Sequence, residues 1–151
     1  MAPSTCVTQQ VKQVEGAIGY VELIYALSNK LPYGQIKNAE GSFITPSLET
    51  VTAAAAGIKL PKDTDFRVSI TSAPGAEAYP IASFTWLLVR KDNKEPAKAK
   101  LIRDFLAWMI TDEAQKMAAA LHYSPLPAPV VALVEARLQT LKAGGKVIAG
   151  R

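Results

Sequence analysis

The sequence has 151 residues, 49% hydrophobic and 20% charged, enough for one domain with a core and too few for two ordinary ones. The formal net charge of +4 biases it only slightly toward anionic partners and not toward nucleic acid. The densest basic group (Arg90, Lys91, Lys94, Lys98, Lys100) is broken by Asp92 and Glu95 and has no interleaved aromatic residues to stack on bases.

No apolar run reaches the roughly 18 residues of a membrane span. The start, MAPSTCVTQQ, lacks the basic and apolar regions of a secretory signal. Cys6 is the only cysteine, so no internal disulfide forms and the redox compartment stays open. No apolar segment precedes it, as a lipid anchor would require, and it reads as an incidental thiol near a frayed end.

In chain order, residues 8–15 are expected to form a short helix with Val7, Val11 and Val14 on one side, ended by Gly16 in a left-handed cap. Residues 17–22 read as a short buried strand. Residues 23–30 read as a helix that stops before Leu31-Pro32, and 33–39 alternate weakly like a strand. Glu40-Gly41-Ser42 is a turn. Thr45-Pro46-Ser47 starts a helix whose inner face is Leu48, Val51, Thr52 and Ala55, and Gly57 ends it. Residues 60–80 form a long irregular connection, with a brief strand at 67–70. The strongest strand is 81–90, IASFTWLLVR, closed by Lys91-Asp92-Asn93-Lys94. After Pro96 an amphipathic helix carries Leu101, Ile102, Phe105, Leu106, Met109 and Ile110. Thr111 caps another, with Asp112 and Glu113 at its positive end and Ala114, Met117, Ala118 and Leu121 inward. YSPLPAP runs extended, a last helix spans 130–141, Gly144-Gly145 ends it, and the remaining residues trail. The pattern is α/β or α+β, helix in excess, with too few strands for an ordinary sheet and edges that need partners.

Few constellations carry chemistry. His122, the one histidine, sits at a helix end and reads as a cap or packing residue, not a catalytic base. A single Cys and a single His do not make a zinc site. The pairs Asp63/Asp65 and Asp112/Glu113 read as solvated loop and helix-start carboxylates. Gly16 and Gly19 supply only G-x-x-G, short of the dinucleotide fingerprint, and Gly144-Gly145-Lys146 is followed by Val147, so it is not a P-loop. Gly16 ends a helix, and Gly19 lets another group approach closely.

Five segments in order resemble one family. GAIGYVE at 16–22, Ala78-Tyr79-Pro80-Ile81, Phe105-Leu106-Ala107-Trp108 and Tyr123-Ser124-Pro125-Leu126-Pro127, with the helix between Pro46 and Gly57, are similar to the C-terminal part of the periplasmic phosphate-binding proteins of ABC phosphate importers, the PstS family. The resemblance covers residues 7–141. It implies a two-lobed receptor that closes on phosphate like a hinge, without metal, cofactor or reaction. It also implies phosphate ligands (hydroxyls, helix-start N–H groups, an arginine and a carboxylate) that lie before the G-x-I-G-Y strand. Arg67 is followed by VSITSA and not by the family's R-x-x-x-S-G-T pattern.

The expectation is therefore α/β, a partial periplasmic-binding-protein fold of type II. No catalytic residue, phosphate ligand or metal ligand is assigned, no cofactor is expected, and the chain is not read as an enzyme. Residues 1–6 are expected to be a non-native-looking or disordered start, since MAPSTC before VTQQVKQ favours a new start codon or a cloning junction. Residues 7–80 are expected to be a remnant of the second lobe and its connection, 81–142 the crossing strand and last helices of the first lobe, and 143–151 a flexible tail. The contiguous core is expected among the last three helices and the 81–90 strand.

Three origins stay open: an expressed fragment, a truncated gene product, or half of a split receptor. Expected partners are inorganic phosphate and importer membrane subunits in the parent family, and a second copy of this chain, without nucleic acid. The resemblance implies a periplasmic or cell-surface location. The alternative is a helix-rich interaction module that reuses the scaffold without transport.

Overall fold

The computed structural model describes residues 3–148. In chain order it contains α1 (Pro3–Gln13), α2 (Leu23–Ser28), β1 (Ile36–Lys37), β2 (Phe43–Ile44), α3 (Leu48–Ala56), β3 (Asp92–Asn93), α4 (Pro96–Met109), α5 (Asp112–Ala120), α6 (Ala128–Leu138), β4 (Lys142–Ala143) and β5 (Lys146–Val147). The strands form two small sheets, an antiparallel β1–β2 pair and a β3–β4–β5 sheet, in which β4 runs parallel to β3 and antiparallel to β5. Helix-rich α/β with few strands is thus the architecture.

Helix boundaries follow local chemistry. α2 ends in a Schellman motif: Lys30 takes φ 54°, its N–H reaches the Leu27 carbonyl at 3.1 Å, and the Leu31 N–H reaches Ala26 at 2.9 Å. α3 starts with a capping box, in which Thr50 N–H donates to Ser47 Oγ at 3.2 Å and Ser47 N–H to Thr50 Oγ1 at 2.9 Å. Pro46 therefore precedes the cap and does not occupy the first turn. α1 reaches back to Pro3, so residues 3–6, expected to be disordered, are helical. It stops at Gln13, and Gly16 follows at φ +75°.

The middle of the chain is organised by Asn38 and by small residues. Buried Asn38 donates from its side-chain amide to the Ala76 carbonyl at 2.9 Å and the Gly75 carbonyl at 3.2 Å, while its Oδ1 accepts from the Ser42 N–H at 2.9 Å. The β1–β2 hairpin is thereby clamped to the 75–78 loop. Beside it Ala54 and Ala55 of α3 pack with Ile70, Ala73, Ala78 and Ala82, and Val51, Ile58 and Phe84 lean on them. Ile70 is the one large apolar side chain fully buried among the described residues. A core of alanines covers little area, and its contribution scales with that area.

This core lies in the middle section, not where the sequence places it. The reason is that the strand-like segments have no strand paired beside them among the described residues. Residues 17–22 and 81–90 are not strands, and among the described residues no main-chain to main-chain hydrogen bond involves 18–21 or 83–90. Ile18 is 98% exposed and Leu88 98%. Residues 67–70 are not a strand either: Phe66 sits at φ 61°, and Asp65 Oδ1 takes the Arg67 N–H at 3.1 Å, a local turn that competes with a ladder. In 33–39 only Ile36–Lys37 pairs.

The helix faces differ as well. α4 buries Ala99 and Arg103, and Leu101 and Phe105 face outward at 70% and 54% exposure. α5 buries Ala114 but leaves Met117 and Leu121 exposed. α6 begins two residues earlier than expected and ends at Leu138, with Val130 and Leu138 inside. The supposed closing turn contains β3, which pairs with β4. The stretch 143–148, expected to trail, belongs to a hairpin whose two-residue turn is Gly144-Gly145, at φ 57° and 81°, where glycine is favoured. Asp92 Oδ2 holds the Gly145 N–H at 2.9 Å. Residues 149–151 of the expected tail lie outside the described residues. α6 is tied to the middle section through Arg137 Nε and the Thr64 carbonyl at 2.7 Å, and α3 through Thr52 Oγ1 and the Pro125 carbonyl at 3.0 Å.

Gly57 makes the tightest approach in this framework, because a Cβ there would lie 2.1 Å from the Pro74 carbonyl oxygen. Gly57→Ala is expected to lower stability by about 1–3 kcal/mol through overpacking. Gly34→Ala, where a Cβ meets nothing within 4 Å, is expected to leave it nearly unchanged. Thermal melts of the two variants check the contrast, and equal midpoints would refute it.

Candidate functional site

Anion capture needs donors that converge and are free to turn toward a ligand. The two capped helix starts do not offer this. At α3, Ser47 and Thr50 use each other, and Glu49 stands in the first turn. Hydrogen bonding from Ser47 holds the Glu49 carboxyl below the ordinary carboxylate range, so this start carries its own negative charge. At α5, Thr111 Oγ1 accepts from Ala114 N–H at 3.4 Å and donates to the Trp108 carbonyl at 2.7 Å, and Asp112 and Glu113 occupy the first turn. Both starts repel a further anion.

Arg67 is engaged on the surface. Its Nε donates to Asp65 Oδ2 at 2.6 Å, and this bond holds the Asp65 carboxyl low and raises the guanidinium. Asp63 is not drawn into a carboxylate pair; its main-chain carbonyl accepts from Arg137 Nη2. His122 lies just past α5, where it takes φ 61°. Its N–H reaches the Ala119 carbonyl at 2.9 Å and the Tyr123 N–H reaches Ala118 at 2.9 Å, a second Schellman motif. Histidine thus fills a left-handed position at a helix end, in keeping with the cap read from the sequence. Gly19 lets Val7 and Val11 of α1 approach: a Cβ there would lie 2.7 Å and 2.9 Å from their methyl groups. Cys6 is exposed on α1. Among the described residues, no three of His, Cys, Asp or Glu gather as metal ligands.

Two of the open grooves among the described residues lie beside helix ends and loops. One of about 420 Å³ lies between α5 and α6, lined by Gln115, Lys116, Leu126, Val131 and Glu135 among others. Gln115 is occupied there, since its Nε2 donates to the Met109 carbonyl at 2.8 Å and its Oε1 accepts from Leu126 N–H at 2.7 Å. The other, about 450 Å³, lies by Gly57, Val68 and Pro74 and has a single charged lining residue, Lys59.

One polar residue escaped sequence reading. Arg103 is buried in α4, its Nη1 donating to Asp104 Oδ1 at 2.8 Å, while Nε has no partner among the described residues. Asp104 also pairs with Lys100, and that hydrogen bond, reinforced by both positive charges, holds its carboxyl below the ordinary range. The available signal was the i, i+4 spacing of Ala99 and Arg103 on one side of the helix.

A helix-rich α/β scaffold with side-chain caps at the starts of α3 and α5 describes the class. The family model for a PBP superfamily domain matches residues 2–113, and the chain belongs to that superfamily. It is similar to the phosphate-binding protein PstS of Xylella fastidiosa (strain 9a5c), 42% identical over 130 residues that cover 86% of this chain and 35% of that protein. It is also similar to the phosphate-binding protein PstS of Methanocaldococcus jannaschii, 38% identical over 130 residues, 80% of this chain and 33% of that protein. For the phosphate-binding protein PstS of Haemophilus influenzae the identity is 32% over 134 residues, 89% and 40%. The chain thus spans well under half the length of these relatives. The resemblance carried by GAIGYVE, AYPI, FLAW and YSPLP stands. No helix among the described residues is long and apolar enough to cross a membrane.

A capping His122 has a measurable consequence. His122→Gly relieves the left-handed backbone cost of about 1–2 kcal/mol and is expected to raise the melting midpoint by a few degrees. A fall in midpoint would mean that the imidazole makes contacts of its own that matter.

Proposed function

We propose that the chain is a phosphate-binding-protein-like scaffold, the solute-binding type of component in ABC phosphate import, and that it has no phosphate site of its own. The observation that carries this reading is 42% identity to a phosphate-binding protein over 86% of the chain. Self-capped acidic helix starts at Ser47 and Thr111 and the Arg67–Asp65 pair support the second half of it. On this reading residues 7–80 belong to the second lobe and its connection, and 81–142 return to the first. The chain catalyses nothing, and a complete receptor delivers phosphate to importer membrane subunits from the periplasm or cell surface. By itself the chain self-associates at micromolar concentration, because its strand-like segments are uncovered.

A second reading, an interaction module without transport, draws on the outward stripe of α4, where Phe105 and Trp108 stack at 5.9 Å. A cytosolic product without effect on phosphate uptake favours it, and export counts against it.

Calorimetric titration with phosphate at low and then moderate salt tests the main reading. The expected result is no saturable heat, or weak heat that disappears with salt as exposed charges are screened. Tight, salt-resistant binding would overturn it.

A further inference from the structure

The small sheet gathers basic residues that lie far apart in the sequence. Arg90, Lys91, Lys94 and Lys98 form one run, broken by Asp92 and Glu95, and Lys142 and Lys146 come much later. β3–β4–β5 joins the two groups. Lys142 N–H donates to the Lys91 carbonyl at 2.8 Å, Gly144 N–H donates to the Asn93 carbonyl at 3.1 Å, and Lys146 on β5 lies opposite Ala143. Neighbouring strands stand about 4.8 Å apart, so the backbones of β3 and β5 are only about 10 Å apart across β4. α4 begins directly after β3, with Lys98 in its first turn. Lys142 is half-buried and the other five basic residues are exposed.

This end holds the whole charge imbalance of the chain. Of the 17 basic and 13 acidic side chains, these six basic residues and two acidic ones lie here, and the remaining eleven of each sign cancel. Among the described residues none of the six is held in an ion pair, whereas Arg67, Lys100 and Arg103 are. Asp92 is turned to the hairpin, where its Oδ2 accepts the Gly145 N–H at 2.9 Å. Helix stability does not account for Lys98 either, since a positive charge in the first turn opposes the helix dipole.

The chemistry of the patch narrows what it fits. Its donors are separate lysine ends carried by β4, β5, the flanks of β3 and the start of α4, and both grooves described above lie elsewhere. Residues 90–100 and 142–146 contain no aromatic residue on which a base could stack. They also contain no large apolar side chain to form the dry centre of a stable protein interface. Lysines are compact charges on flexible stems, suited to a partner whose negative charges are many, repeated and free to rearrange. The Gly144-Gly145 turn among them carries no side chain that would hold a flat surface away.

We propose that this basic end is a membrane-surface contact, which holds the chain against a bilayer rich in anionic phospholipid headgroups. The attraction is electrostatic and additive, about fivefold in partition for each lysine near the surface. It fades over about 8–10 Å at ordinary salt. The contact does not depend on whether the chain binds free phosphate.

The test is co-sedimentation of the full chain with vesicles of phosphatidylcholine alone, and with about 30% phosphatidylglycerol added, at low salt and at about 0.15 M. The expected result is binding to the mixed vesicles only, weaker at the higher salt. Lys94→Gln, Lys98→Gln and Lys146→Gln combined are expected to lower partition about a hundredfold. Lys37→Gln, Lys59→Gln and Lys62→Gln combined remove the same net charge from exposed positions elsewhere, and are expected to lower it less than about threefold. Equal losses in the two triple variants overturn the proposal, because net charge alone then explains the binding. Binding to phosphatidylcholine alone, or no binding to the mixed vesicles, also overturns it. Capture of a single-stranded oligonucleotide without capture of vesicles overturns it in favour of a nucleic-acid role. Hydrogen exchange of the unmodified chain with and without mixed vesicles keeps the test open to failure if a variant misfolds. Slowed amides at 90–98 and 142–147 are expected, and slowing confined to other segments overturns the proposal. Saturable phosphate heat bears on the scaffold reading alone.

Discussion

A strand-like segment buries little until another strand lies beside it, because every N–H and C=O along it needs a partner outside the segment. That constraint shapes the molecule more than any single contact. Where the chain carries both partners, as in β1–β2 and β3–β4–β5, short ladders form and are pinned by side chains such as Asn38 and Asp92. At 17–22 and 83–90 strand-like stretches lie without a ladder among the described residues, and α4, which follows 83–90, turns Leu101 and Phe105 outward. Other contacts are made within the described residues: α3 on small residues, a close carbonyl at Gly57, and α6 tied back through Arg137.

Local signals were legible in the sequence because they act over a few residues. Gly16, Thr45-Pro46-Ser47, Thr111, Leu31-Pro32 and the three prolines of YSPLPAP set boundaries that the structure keeps to within a few residues. Burial was less legible, since it depends on what lies opposite. Hydrophobic periodicity correctly makes 96–109 amphipathic, yet Leu101 and Phe105 of the apolar stripe stay exposed, Ile102, Leu106, Met109 and Ile110 are half-buried, and Ala99 with Arg103 takes the innermost side. IASFTWLLVR has strand composition and no strand, which is a tertiary outcome that composition alone does not report. Gly144-Gly145 was misread because the same residue type serves helix ends and hairpin turns, and the choice rests on β3, some fifty residues away.

The candidate site follows the same logic. Phosphate recognition concentrates several donors from separate elements on one anion. Here several donors are spent locally: Ser47 N–H on Thr50 Oγ1, Thr111 Oγ1 on the Trp108 carbonyl, Arg67 on Asp65, Arg137 on the 63–64 carbonyls. The family likeness was readable from short motifs because those motifs shape strand entry and helix packing. On the proposed reading, the ligands that the resemblance implies lie outside these motifs.

Hydrogen exchange of the chain at submicromolar concentration tests the central claim most directly. The account predicts that amides of 83–90 exchange near the rate of an unstructured peptide while those inside α3 and α4 are protected. Protection of 83–90 as strong as that of α4 would contradict it.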